Sequence, residues 1–131
     1  MTETMTVEEF RAQQKKGNKF GAKPVTIDNI RFDSGVEGER YRQLLLLLKS
    51  GQIQNLQIKA PKIEILPAFT DRYQGRHKAT YYIPDFTYEE GGVFVVEDVK
   101  GGHATRTALF ELKRKIVLSH YPQYDFRIIT M

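Results

Sequence analysis

The stretch 93–100, which reads VFVVEDVK, restricts the possible folds more than any other part of the chain. Side chains of a strand alternate between its two faces. Phe94, Val96, Asp98 and Lys100 therefore share one face, and Val93, Val95, Glu97 and Val99 share the other. Both faces begin apolar, which predicts a central strand covered on both sides. Asp98 and Lys100 then emerge on one face at its far end. Charges in such a place need a reason, because burying an unpaired charge is costly.

The residues before this strand supply part of the reason. Gly91-Gly92 lies between two β-rich runs, 80–88 and 93–100, which is a hairpin signal. With a two-residue turn, Glu90 pairs with Val93 and Asp85 falls directly opposite Asp98. A three-residue loop would instead set Glu97 opposite Asp85. Opposed side chains have Cβ atoms about 4.5–5.5 Å apart, so two carboxylates there repel unless a cation lies between them. Oxygen donors of this kind suit a hard divalent ion, Mg²⁺ or Mn²⁺. Glu97 points to the other face and is expected to pair with a basic side chain.

The rest of the chain frames this hairpin. Ser34 and Glu37 have the spacing of a capping box and predict a helix that runs to about residue 50 and stops at Gly51. Five consecutive leucines, 44–48, leave its later half without a polar face and predict burial all round. Extended runs follow at 53–58 and 62–66, then a loop at 67–78. A second helix over 105–119 places Ala108, Leu109, Leu112 and Ile116 on one side, and a last strand covers 124–130. The expectation is an α/β fold: a mixed central sheet flanked by helices, in the order α-β-β-β-β-α-β. A chain of 131 residues has room for one domain. Its boundaries are expected at 31–131, after a loosely ordered N-terminal arm over residues 1–30 that is basic around residues 13–19.

Composition removes several classes of function. Cysteine is absent, which excludes disulfides, thiolate zinc sites and a cysteine nucleophile. His77, His103 and His120 lack a paired metal-ligand spacing, and His103 is expected in a loop. The longest apolar run is far shorter than the roughly 20 residues that span a bilayer, and no signal-peptide pattern opens the chain. A cytoplasmic protein without membrane contact is expected. The net charge of +4 agrees with a polyanionic partner. Lys100, Arg106, Lys113, Arg114 and Lys115 stand against Glu111 alone between residues 100 and 120. Arg106 and Lys113, seven residues apart, would project from one side of the second helix. Arg72, Arg76 and Lys78 in the preceding loop are further candidates for contact with nucleic acid.

Pro84-Asp85 in one strand, Asp98-Val99-Lys100 in the next, and Glu37 on an earlier helix together resemble the PD-(D/E)xK nuclease superfamily. The chain is similar in particular to small phage-encoded nucleases of Holliday-junction-resolvase type. Phe32-Asp33-Ser34 with Glu37, Tyr82 to Phe86, Val96 to Gly101, and Thr107 with Phe110 and Lys113 carry that similarity, over about residues 18–128. The resemblance implies a restriction-endonuclease-like α-β-β-β-α-β core and Mg²⁺-dependent hydrolysis of DNA phosphodiesters, with Mn²⁺ as a substitute. Asp85, Asp98 and the backbone carbonyl of Val99 would ligate the metal, and Glu37 would complete the site directly or through a water. Glu39 is the reserve for Glu37. Lys100 would hold the attacking water or steady the charge growing on the phosphate, and Arg106, Thr107, Lys113, Arg76 and Lys78 would contact DNA. A homodimer acting on branched DNA, in the host cytoplasm if phage-encoded, is further implied. A nicking or end-processing nuclease, or a non-catalytic DNA-binding module with this fold, are the alternatives. Ala60 precedes Pro61 where the family often carries a glutamine, so that polar group is missing here.

Overall fold

The computed structural model describes residues 23–101 and 106–131. Its chain order is β1 (Val25–Ile27), β2 (Ile30–Phe32), α1 (Gly35–Lys49), β3 (Gln54–Ile58), β4 (Ile63–Leu66), β5 (Phe69–Thr70) and β6 (Arg76–His77). Then come β7 (Thr80–Tyr82), β8 (Phe86–Glu90), β9 (Val93–Lys100), α2 (Ala108–His120) and β10 (Asp125–Thr130). A four-stranded mixed sheet has the order β10-β9-β8-β3. β9 runs parallel to β10 and antiparallel to β8, so the VFVVEDVK strand is internal as its apolar faces require. None of the described helices is long and apolar enough to cross a membrane.

Each face of β9 enters a different core. Val95 and Val99 pack with Phe86 and Tyr88 of β8 and with Phe32, Tyr41 and Leu44 around α1. Val96 packs with Ile63 and Ile65 of β4, Tyr82 of β7, and Phe110 and Val117 of α2. α1 therefore covers one side, and the β4–β7 ladder with α2 covers the other.

α1 begins and ends where its signals lie. Ser34 Oγ accepts from the Glu37 N–H at 3.3 Å, and Gly51 takes the left-handed φ of 81° that glycine permits. The expected burial of its leucine run is not found: Leu44 is buried, but Leu46 and Leu48 are exposed. The helix packs through one side only, and 100° per residue carries alternate leucines out to water.

Three other expectations change. The run 80–88 is two strands, β7 and β8, in different sheets, broken at Ile83, Pro84 and Asp85. The loop expected at 67–78 contains the β5–β6 ladder. The boundary at residue 30 is also misplaced, because β1 and β2 form a hairpin whose Val25, Ile27 and Ile30 pack on the α1 core. Asp28 and Asn29 supply its turn with φ of 54° and 64°. The basic stretch at 13–19 lies outside the described residues.

Candidate functional site

The predicted two-residue turn holds over five pairs, from Glu90–Val93 to Phe86–Glu97. It does not continue to Asp85 opposite Asp98. The Asp85 N–H donates to the carbonyl of Glu97, the residue already paired with Phe86, at 3.0 Å. Two residues thus answer one, as at a β-bulge, and such an irregularity re-aims a side chain. The Asp85 carbonyl accepts from the Lys59 N–H at 2.9 Å, and its carboxylate Oδ2 accepts from the Val99 N–H at 2.7 Å. Asp85 therefore ends the ladder with its side chain where a backbone acceptor would have been. The N–H and C=O of one strand residue point to the same edge. The Val99 carbonyl accordingly faces the edge where β8 has stopped.

Asp98 lies beside it, 7 % exposed. The Tyr82 hydroxyl donates to Asp98 Oδ2 at 2.6 Å, and Lys100 Nζ stands 3.1 Å from Oδ1. The ammonium also sits 3.8 Å from the centre of the Phe110 ring, a cation–π contact that holds it on the α2 side. Burial and the nearby Asp98 charge push the Tyr82 hydroxyl well above its ordinary range, so it remains a donor.

Glu37 approaches from the first turn of α1. Its side chain is largely buried, and Oε2 has no hydrogen-bond partner among the described residues; Lys59 Nζ is 3.6 Å away. The same ammonium bonds Asp33 at 3.1 Å. Burial raises the Glu37 carboxyl, helped by Asp33 and opposed by Lys59. Asp85 is pushed up to about 8, first by burial, then by the charges of Asp98 and Glu37, against the pull of the Val99 N–H and Lys59. Three carboxylates thus act on one another around the end of β9.

Glu97 on the opposite face is fully buried and pairs as expected. Arg40 donates to both its oxygens at 2.9 and 2.6 Å, and the Tyr88 hydroxyl donates as well. Arg40→Ala would strand this carboxylate, and removing one partner of a buried pair costs about 3 kcal/mol or more. Urea unfolding of that variant should show the loss; a cost below about 1 kcal/mol would mean that Tyr88 alone satisfies Glu97.

The basic candidates divide. Arg106 precedes α2 and pairs with Glu111 at 2.8 Å, so the two-turn spacing from Lys113 does not apply to it. Thr107 is the N-cap, accepting from the Phe110 N–H at 3.1 Å. Thr107 and Lys113, with Tyr81, Ile83 and Leu109, line an open cavity of about 290 Å³ next to Tyr82 and Phe110. Leu109 adds to its apolar wall because it is exposed; of the expected stripe, Leu109 and Leu112 face outward while Ile116 packs on the core, beside Phe110 and Val117. Arg76 and Lys78 stand apart on the excursion between β4 and β7. Glu39 is exposed and pairs with Arg42, away from the acids. His103 lies outside the described residues.

Sequence reasoning missed Tyr82 and Lys59 as parts of this site. Tyr82 carried a signal, a polar-tipped aromatic just before Pro84-Asp85; Lys59 carried none. Among the described residues, no three His, Cys, Asp or Glu side chains close up into a metal-holding group. Mg²⁺, however, keeps several waters and is commonly held by one or two carboxylates. Asp85, Asp98 and the Val99 carbonyl are the residues that could hold it in this way, and the Glu37 oxygen, without a partner among the described residues, could accept from a metal-bound water.

A family model described as "Protein of unknown function (DUF1064)" matches residues 17–131. No curated protein is similar enough in sequence to count as a relative.

Proposed function

For this chain, which belongs to the DUF1064 family of unknown function, we propose metal-dependent hydrolysis of DNA phosphodiester bonds by an endonuclease of PD-(D/E)xK type. The observation that carries the reading is the pairing of half-buried Asp85, just before β8, with buried Asp98 near the end of the central strand β9, with Lys100 against Asp98. Such a cluster is costly when ionised and is relieved by a divalent cation. Mg²⁺ held there would polarise the phosphate and lower the pKa of a bound water.

The chain's own residues divide the remaining work. Tyr82 fixes Asp98 by its hydroxyl, and the Val99 N–H fixes Asp85. Lys100, wedged between Asp98 and the Phe110 face, presents its ammonium to the attacking water or to the phosphate oxygens. It cannot be a metal ligand, having no lone pair when protonated. Glu37 orients water from the α1 side. The succession α1, β3, β8, β9, α2 and β10, whose four strands form one mixed sheet, is compatible with the restriction-endonuclease-like core and supports this reading.

The cavity lined by Tyr82 and Phe110, which touch Asp98 and Lys100, has Lys113 and Thr107 in its wall and is the place proposed for the phosphate backbone. Lys113→Ala should weaken binding across sequences and reduce the log–log salt slope by about 0.9 on duplex DNA. An unchanged slope would return Lys113 to a plain solvated role. Branched DNA is the favoured substrate and a homodimer the favoured form, because resolving a junction takes two cuts.

The experiment is direct: purified protein with Mg²⁺ or Mn²⁺ and a panel of four-way, flap, duplex and single-stranded DNAs. Metal-dependent cuts concentrated in the branched substrates support the proposal. Cuts in linear DNA alone would indicate a nicking or end-processing enzyme. Salt-sensitive binding without product in either metal would make the protein a binding module.

A further inference from the structure

The excursion between β4 and β7 is a built finger that the catalytic site does not use. β5 leads out, residues 71–75 turn, and β6 returns toward β7. The turn is held from several directions. The Asp71 carboxylate accepts from the N–H groups of Tyr73 at 2.8 Å and Gly75 at 2.9 Å, and lies 2.7 Å from His77 Nε2. The Asp71 N–H donates to the Gly75 carbonyl at 2.8 Å, and the Gln74 N–H donates to the Asp71 carbonyl at 3.0 Å. A Cβ at position 75 would come within 2.4 Å of Asp71 Oδ2, so a larger residue there would push the Asp71 carboxylate out of the turn. Below the turn, Phe69 stacks on His77 with ring centres 4.5 Å apart and planes 11° from parallel.

Turns are dominated by Gly, Pro, Asn, Asp and Ser. This one presents Tyr73, 85 % exposed, with the Arg72 guanidinium 5.8 Å from its ring centre. Arg76 and Lys78 are exposed on the same finger. Asp71, the only acid between residues 67 and 79, is spent inside the turn. A rigid support thus holds one bare aromatic face among three cations.

We propose that Tyr73 stacks on an unpaired base of DNA while Arg72, Arg76 and Lys78 meet the flanking phosphates. This deepens the nuclease reading and rests on it for the choice of DNA as partner. An aromatic face matches a base face, and the cations match the backbone on either side of it. In a continuous duplex each base face is covered by its neighbour; at a gap, an end or a branch it is free. β7 joins this finger to Tyr82, which holds Asp98. At about 3.3 Å per residue the tip reaches no farther than about 30 Å from that hydroxyl-bearing residue, less than a turn of duplex DNA.

The chain contains no tryptophan, so Tyr73→Trp creates a single fluorescent reporter at the tip. The titration is made in EDTA with a fully paired duplex, the same duplex carrying a single-stranded gap, and a four-way junction bearing unpaired bases at its centre. Quenching by the gapped and branched DNAs, and little by the paired duplex, is expected. Tyr73→Ser should weaken binding to gapped DNA by about 5- to 150-fold, the equivalent of one stacked base, and leave duplex binding unchanged. Tyr73→Phe should restore it. Equal affinity of Tyr73→Ser and wild type for every DNA, or equal quenching by paired and gapped duplex, would overturn the proposal. Matching melting temperatures of the variants confirm that each is folded. Quenching by gapped DNA without Mg²⁺-dependent cuts in any substrate would uphold the finger and overturn the nuclease; cuts without quenching would do the reverse.

Discussion

Asp85→Asn and Asp98→Asn are each expected to lower Mg²⁺-dependent cleavage by about a hundredfold to a thousandfold while DNA binding stays within a few-fold of wild type. Each substitution takes one anionic oxygen donor from the metal and leaves the basic surfaces intact. A loss of this size corresponds to about 3–4 kcal/mol of transition-state stabilisation, the scale of a bound cation's action on a phosphoryl oxygen. Asn at position 85 can still accept the Val99 N–H, so the local fold need not change. Lys100→Ala should lower turnover and spare metal affinity, since the ammonium sits beside the carboxylate and is not a ligand. Cleavage within a few-fold of wild type for either Asn variant would remove the metal assignment.

The second large effect needs no substrate. Asp85 is pushed up to about 8 by burial, Asp98 and Glu37, whereas an unfolded aspartate titrates near 3.9. Between those values the folded protein holds a proton that the unfolded chain has released. Stability from this group is therefore fully present at about pH 4 and is lost as pH rises through about 8, by at most about 1.4 kcal/mol per pH unit. Asp85→Asn should flatten that descent and make the metal-free protein more stable than wild type at pH 8. Mg²⁺ should reverse the wild-type loss, by about 2.7 kcal/mol at a hundred times its dissociation constant. The Asn variant should forgo most of that gain. Melting curves from pH 5 to 9, with and without Mg²⁺ or Mn²⁺, decide the matter. Coincident pH profiles of wild type and Asp85→Asn would place Asp85 outside the shared carboxylate field.

Local signals located much of this protein. Alternation over 93–100 placed Glu97 and Asp98 on opposite faces, and the buried partners of each bear that out: Arg40 for Glu97, Tyr82 and Lys100 for Asp98. The glycine pair set the hairpin register because a two-residue turn leaves no freedom over the next few pairs. Ser34 and Gly51 bracketed α1 for equally local reasons, a side-chain cap and a left-handed backbone. The β1–β2 hairpin, with Asp28-Asn29 at its turn, was not read, because the basic residues before it drew the boundary too late.

What sequence periodicity determines, then, is which face a residue occupies and where an element starts or stops, since both depend on neighbours within a few positions. It does not determine who sits across that face. The ladder's departure at Asp85 is accompanied by a bond from Lys59, whose N–H binds the Asp85 carbonyl from just past the end of β3. The Glu37–Lys59–Asp33 cluster joins a helix start to the end of β3. The Arg40–Glu97 pair spans 57 positions. Leu46 is exposed although its neighbour Leu45 packs on the core, because only one side of α1 meets the sheet. These contacts arise from the packing of elements distant in the chain, and burial in that packing is what turns Asp85 from an ordinary surface acid into a carboxyl pushed up to about 8.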